Sequence, residues 1–148
     1  MNLINRSIQY ALSAETGNTD SVVVGVYGKS DNLEINGTLT IVADDLDEGT
    51  TFDDLSKKQL FALATKKLPT LLPTLAYTNY QFFVQNDTPV RLTAYSDLSN
   101  NGSYISLSST LDQSDFTDKA IESVGYEDVK SAVKTILSQE FPTSPTEV

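Results

Sequence analysis

Residues 44–54, Asp44-Asp-Leu-Asp-Glu-Gly-Thr-Thr-Phe-Asp-Asp54, carry six carboxylates and no base. Crowded carboxylates suit hard cations such as Ca²⁺ or Mg²⁺, which take oxygen ligands. Asp44, Asp45, Asp47 and Glu48 are the candidate metal ligands here. The spacing fails the EF-hand pattern. With Asp45 at position 1, Thr50 stands where glycine is required and Ser56 where a bidentate Glu is required. The segment therefore reads as a solvated acidic connection into a helix N-terminus, and no bound metal is expected.

A second stretch could bind without catalysing. Tyr77-Thr-Asn-Tyr-Gln-Phe-Phe-Val-Gln85 is aromatic and strand-like. On a strand, Tyr80, Phe82 and Val84 face one way, and Gln81, Phe83 and Gln85 the other. One face should be core. Tyr77, Tyr80, Phe82 and Phe83 are the candidate residues for lining a groove for a small ligand or peptide. Just before them, Leu-Pro-Thr-Leu occurs twice in succession, at 68–71 and 72–75. It reads as a packed connection between helix and strand, or as a ledge for a partner.

Other chemistry is excluded by residue type. The chain has no cysteine and no histidine. Disulfides, thiol catalysis, ordinary zinc sites and imidazole bases are therefore absent. Most hydrolase triads go with them. Val24-Gly-Val-Tyr-Gly28 lacks the lysine and spacing of a phosphate-binding loop. A glycosidase needs only two carboxylates, but nothing singles out a pair among twenty acids. No catalytic residue and no cofactor is expected, and the chain reads as a non-enzyme.

Net charge is −10 over 148 residues, and Arg6 and Arg91 are the only arginines. Such a chain repels phosphate backbones, so direct nucleic-acid binding is not expected. Imitation of a nucleic acid by a carboxylate-rich surface is the converse reading. No apolar run approaches a membrane span, and the first six residues have no apolar signal core. The Asn-x-Ser/Thr triplets beginning at Asn5, Asn36, Asn86 and Asn101 carry no meaning without secretion.

The surrounding elements follow from periodicity. Alternation predicts strands at Ile8–Leu12, Leu33–Ile41 and Val90–Ala94, the short β-branched run Val22–Tyr27 reads as a buried strand, and Tyr77–Gln85 and Ile105–Leu107 complete the set. Asn36-Gly37 is a hairpin dipeptide, but pairing across it would mix apolar and polar residues on both faces. One long strand containing a glycine, with a bulge there, fits better. Asn86–Pro89 reads as a turn and Ser96–Ser103 as a polar loop. The principal helices are expected at about 52–68, capped by Thr51 and Asp54 and ended by Pro69, and at about 126–140. A short helix is expected at Phe116–Val124, stopped by Gly125.

The expected fold is α+β, a mainly antiparallel sheet of five or six strands with both principal helices on one face. Residues 1–141 should form one domain and 142–148 a flexible tail. Phe52-Asp-Asp-Leu55 and Tyr126-Glu-Asp-Val129 open the two helices alike, which suggests a degenerate duplicated strand-strand-helix unit. The functional expectation is an interaction or assembly protein, such as a phage-type or bacterial structural component. It would act through a protein partner or self-association, in the cytoplasm or a virion. The alternatives are a small-ligand or peptide-binding module using the aromatic strand, and an acidic decoy.

Overall fold

A computed structural model describes residues 1–142; the tail expected at 142–148 falls outside these apart from Pro142. The protein is α+β, built on one antiparallel sheet of six strands in the order β1-β2-β3-β6-β5-β4. The strands are β1 (Ile4–Leu12), β2 (Thr19–Lys29), β3 (Leu33–Val42), β4 (Ala76–Gln85), β5 (Thr88–Asn100) and β6 (Ser103–Asp112). Two helices, α1 (Lys57–Leu71) and α2 (Tyr126–Glu140), complete it.

Strict alternation builds the core. Val22, Val24 and Val26 of β2, Leu33, Ile35, Leu39 and Ile41 of β3, and Leu92, Leu98, Ile105, Leu107 and Leu111 of β5 and β6 are buried on one face. Onto that face α1 lays Leu60, Ala64 and Leu68, and α2 lays Val129, Val133, Ile136 and Leu137, in one continuous cluster. Burial at helical spacing against a flat apolar layer is the main source of stability, at roughly 25 cal/mol per Å² removed from water. The opposite face is rich in Ser, Thr and Asn, and Tyr95 and Tyr104 stand exposed on it.

The halves repeat one plan. Each has three strands, two short 3-10 turns and a fifteen-residue helix in the same order, and a fifth 3-10 turn, Leu72–Thr74, joins the halves. The repeat extends to single hydrogen bonds. Val42 at the end of β3 donates its N–H to Asp45 Oδ2 at 2.8 Å, and Asp112 at the end of β6 donates to Asp115 Oδ2 at 2.9 Å. The likeness of Phe52-Asp-Asp-Leu55 to Tyr126-Glu-Asp-Val129 is not part of this match. The first opens a 3-10 turn (Phe52–Asp54), and the second opens α2 itself.

The halves meet where β3 pairs with β6. Gly37 lies at this seam, opposite Ile105. A Cβ there would sit 2.1 Å from the carbonyl oxygen of Tyr104 and 2.8 Å from Ile105 Cα, so only glycine lets the strands approach. The long strand is as expected, but no bulge occurs at Gly37: both registers run through it unshifted.

Three expectations are corrected. Thr51 and Asp54 do form a reciprocal cap, but on a single 3-10 turn. The helix proper starts at Lys57, where Ser56 accepts from Gln59 N–H and donates its own N–H to Gln59 Oε1. It also runs past Pro69 to Leu71. Near a helix end the missing proline N–H costs one bond, and burial of Leu68 and Leu72 on either side holds the turn. The segment 116–124 is not an α-helix; 3-10 turns stand at Gln113–Asp115 and Ile121–Ser123. The stretch 96–103 is not a loop. β5 and β6 continue through it to a two-residue turn at Asn101-Gly102, both with positive φ. Its serines misled: Ser96 and Ser103 are small enough to be buried facing the helices.

Candidate functional site

The acidic segment is tied down. Asp45 Oδ2 receives Lys67 Nζ at 2.7 Å, and the same ammonium donates to the Thr40 carbonyl at 2.8 Å. Asp53 accepts from Thr19 Oγ1. Asp54 accepts the Thr51 N–H and hydroxyl, which hold its carboxyl below the usual carboxylate range. Asp44, Asp47 and Glu48 remain near the surface, and among the described residues no three acids converge as a metal site. Asp45 and Asp54 close turns, and Asp45 also anchors α1 to the end of β3 through Lys67.

The aromatic strand is the outermost strand, β4. It pairs with β5 on one side and with no other strand among the described residues. The pairing places Tyr77, Tyr80 and Phe82 opposite Ser96, Ala94 and Leu92, on the helix side. Tyr77 joins that face because a bulge at Thr78 resets the alternation. Phe83 is on the other face, opposite Arg91, whose guanidinium lies 4.4 Å from its ring centre. The four candidates are thus divided three to one.

α2 completes the helix-side group. Tyr126 stacks on Tyr80 at 6.1 Å and meets Tyr77 edge-on at 6.4 Å, while Lys130 Nζ lies 4.8 Å over the Tyr126 ring. Half-burial, and then the neighbouring Tyr126, push the Tyr77 hydroxyl above its ordinary pKa.

Beside this group an open groove of about 730 Å³ separates the end of α1 from α2. One wall is the doubled Leu-Pro-Thr-Leu, through Pro69, Leu72, Pro73 and Leu75. Tyr77 forms its floor, and Tyr126, Lys130, Lys134, Leu137 and Phe141 form the other wall. Leu68 and Leu72 of the repeat are buried in the core as a packed connection, while Pro73 and Leu75 border the groove. Sequence reasoning missed the α2 wall because Tyr126 and Leu137 sit on the helix's apolar stripe and read as core. Tyr126 is 42% exposed, so only part of that stripe meets the sheet.

The arrangement offers apolar contact with two ammonium groups on the rim. Among the described residues, no helix is long and apolar enough to cross a membrane. Comparison with protein-family models, curated proteins and solved structures finds no match.

Proposed function

We propose that this is a non-enzymatic interaction or assembly protein whose contact region is the surface of residues 68–86 and the facing side of α2. One observation carries the reading. Residues 68–86 hold no charged side chain, although a fifth of the chain is charged. The fold places them together, as one wall of the groove and then as an unpaired sheet edge. Tyr80, Phe83 and Val84 are exposed on that edge. Contiguous apolar surface beside a free strand edge is the physical signature of a protein contact. A structural role in a phage particle or a bacterial assembly, in the cytoplasm or a virion, belongs to the same proposal.

Site-directed cross-linking tests it, since the chain has no native cysteine. Photo-reactive labels on single cysteines at Thr74, Tyr80 and Lys134 should capture protein in an extract of the source cell. Labels at Glu34 and Asp44 should not. Equal capture from all five positions, or none from any, would reject the reading.

The groove's size supports the second reading, a small-ligand or peptide-binding module. Small-molecule sites occupy roughly 300–1,000 Å³ and are mostly apolar with a few polar groups. A saturable ligand whose binding shifts the Tyr77 and Tyr126 NMR signals, and is lost in Tyr126→Ala, would favour it. The decoy reading gains no support. Nine of the twenty acids lie in the two connections after β3 and β6, which leave opposite ends of the sheet because these strands are antiparallel, and the others are scattered along the chain.

A further inference from the structure

We infer that the free edge of β4 is a strand-pairing site for a second copy of this chain, joined about a two-fold axis through Phe82. This rests on the contact region proposed above and names its partner.

Among the described residues the edge is unguarded. Natural sheet edges are protected by charges, prolines or bulges. β4 has no charge and no proline; its register with β5 shifts at Thr78 and again between Phe83 and Val84, but there the extra residue is Val90 of β5, so Asn79–Gln85 of β4 itself carries no inserted residue. Val84 stands opposite Pro89, which has no N–H to give, so the polar backbone groups of Val84 point to the free side. Alternation along an antiparallel strand sends those of Phe82 and Tyr80 the same way.

Charge and symmetry select the occupant. Two copies of a −10 chain repel each other, and they meet at least cost where charges are absent. Residues 68–86 are the longest uncharged run in the sequence. The strand is also self-complementary. Tyr80 and Val84 lie on the helix side, two residues either way from Phe82. A two-fold axis through Phe82 sets each against the other, and Phe82 against itself. Any one-residue slip would oppose inward to outward side chains. Exposed apolar area at Tyr80, which is 39% exposed, and Val84, 54%, would be covered on both copies.

Sedimentation equilibrium over a rising concentration series should show a monomer–dimer equilibrium that tightens with added salt, as repulsion is screened. Val84→Lys should weaken the dimer about tenfold or more, through two altered cross-strand pairs, and leave unchanged the melting temperature measured at a dilution where both proteins are monomeric. Leu12→Lys, on the opposite edge, should leave the dimer unchanged. A chain carrying Tyr80→Cys and Val84→Cys should form a covalent dimer on mild oxidation. A strict monomer at the highest soluble concentration would overturn the inference, while capture of other proteins at Tyr80 would still uphold the contact region. A dimer dissolved by Leu12→Lys and not by Val84→Lys would likewise overturn it, with self-association then assigned to β1.

Discussion

The two outer strands occupy matching places in the two halves, yet they are finished differently. β1 carries Arg6 at a register shift, with the guanidinium stacked 4.0 Å from the Tyr27 ring centre. Met1 and Leu3 lie close over Gly28 beside it. β4 carries aromatics and no charge, and the matching corner opens as the Pro-Leu groove. The connections differ as well. Lys67 is shielded and joins Asp45 to the end of β3, whereas Lys119, joined to Asp128, is half exposed. One plan therefore gives two different edges: β1 leaves Ile4 and Leu12 exposed but carries Arg6 at a register shift, and β4 is uncharged beside an open groove. The shared core sets the fold, and the departures from symmetry set what the molecule can touch.

The largest test strikes what the halves share. Gly37→Ala should cost about 3 kcal/mol, because the clash is with backbone on both sides of the seam. An unchanged urea midpoint would show that β3 and β6 do not meet as described. Next comes the asymmetry of the tethers. Lys67→Met should cost about 1–2 kcal/mol, since it leaves Asp45 and the Thr40 carbonyl without a charged donor. Lys119→Met should have no measurable effect, and equal losses would erase the distinction.

The helix caps give a smaller contrast. Ser56→Ala should cost about 1 kcal/mol by removing the side-chain acceptor at the start of α1. The equivalent position before α2 is Gly125, which has no side chain to lose. Gly125→Ser should gain a few tenths of a kcal/mol. Thermal denaturation of both variants checks the pair.

The smallest effect is on acid stability. Hydrogen bonds from Gly125 N–H and then Lys119 hold the Asp128 carboxyl below its ordinary 3.8, as Thr51 does for Asp54. A depressed carboxyl stabilises the fold fully above its unfolded pKa. That stabilisation is lost as pH falls below about 3.8 through the folded value. Asp54→Asn and Asp128→Asn should each reduce the loss of stability below that pH. A titration of urea midpoints that is identical in wild type and both variants would deny these caps a role.

Much of this was legible in the chain. The β-branched run at 22–27, the period-two run at 33–41 and the stripe at 126–140 give the sheet, the face and α2, because burial leaves its trace in apolar composition and spacing. The acid-rich starts misplaced α1, because Thr51-Phe-Asp-Asp54 and Ser56-Lys-Lys-Gln59 are both valid caps, and only packing chooses the second. Ser96, Ser103 and Ser109 hid the length of β5 and β6, since a buried serine reads as a loop residue. The aromatic strand was found, but its place at an edge was not, because strand order depends on pairings distant in sequence. Tyr126 joined the site from fifty residues away, with nothing local to announce it.

The strand order has a bearing on how the chain assembles. Every pairing except β3 with β6 joins neighbours in sequence. Each three-stranded meander can therefore zip from its own turns, at low loop-closure cost, before it meets the other. The encounter of β3 with β6, across Gly37, is then the slow and committing event. Two polypeptides divided near Thr74 would retain every hairpin and should reassociate when mixed.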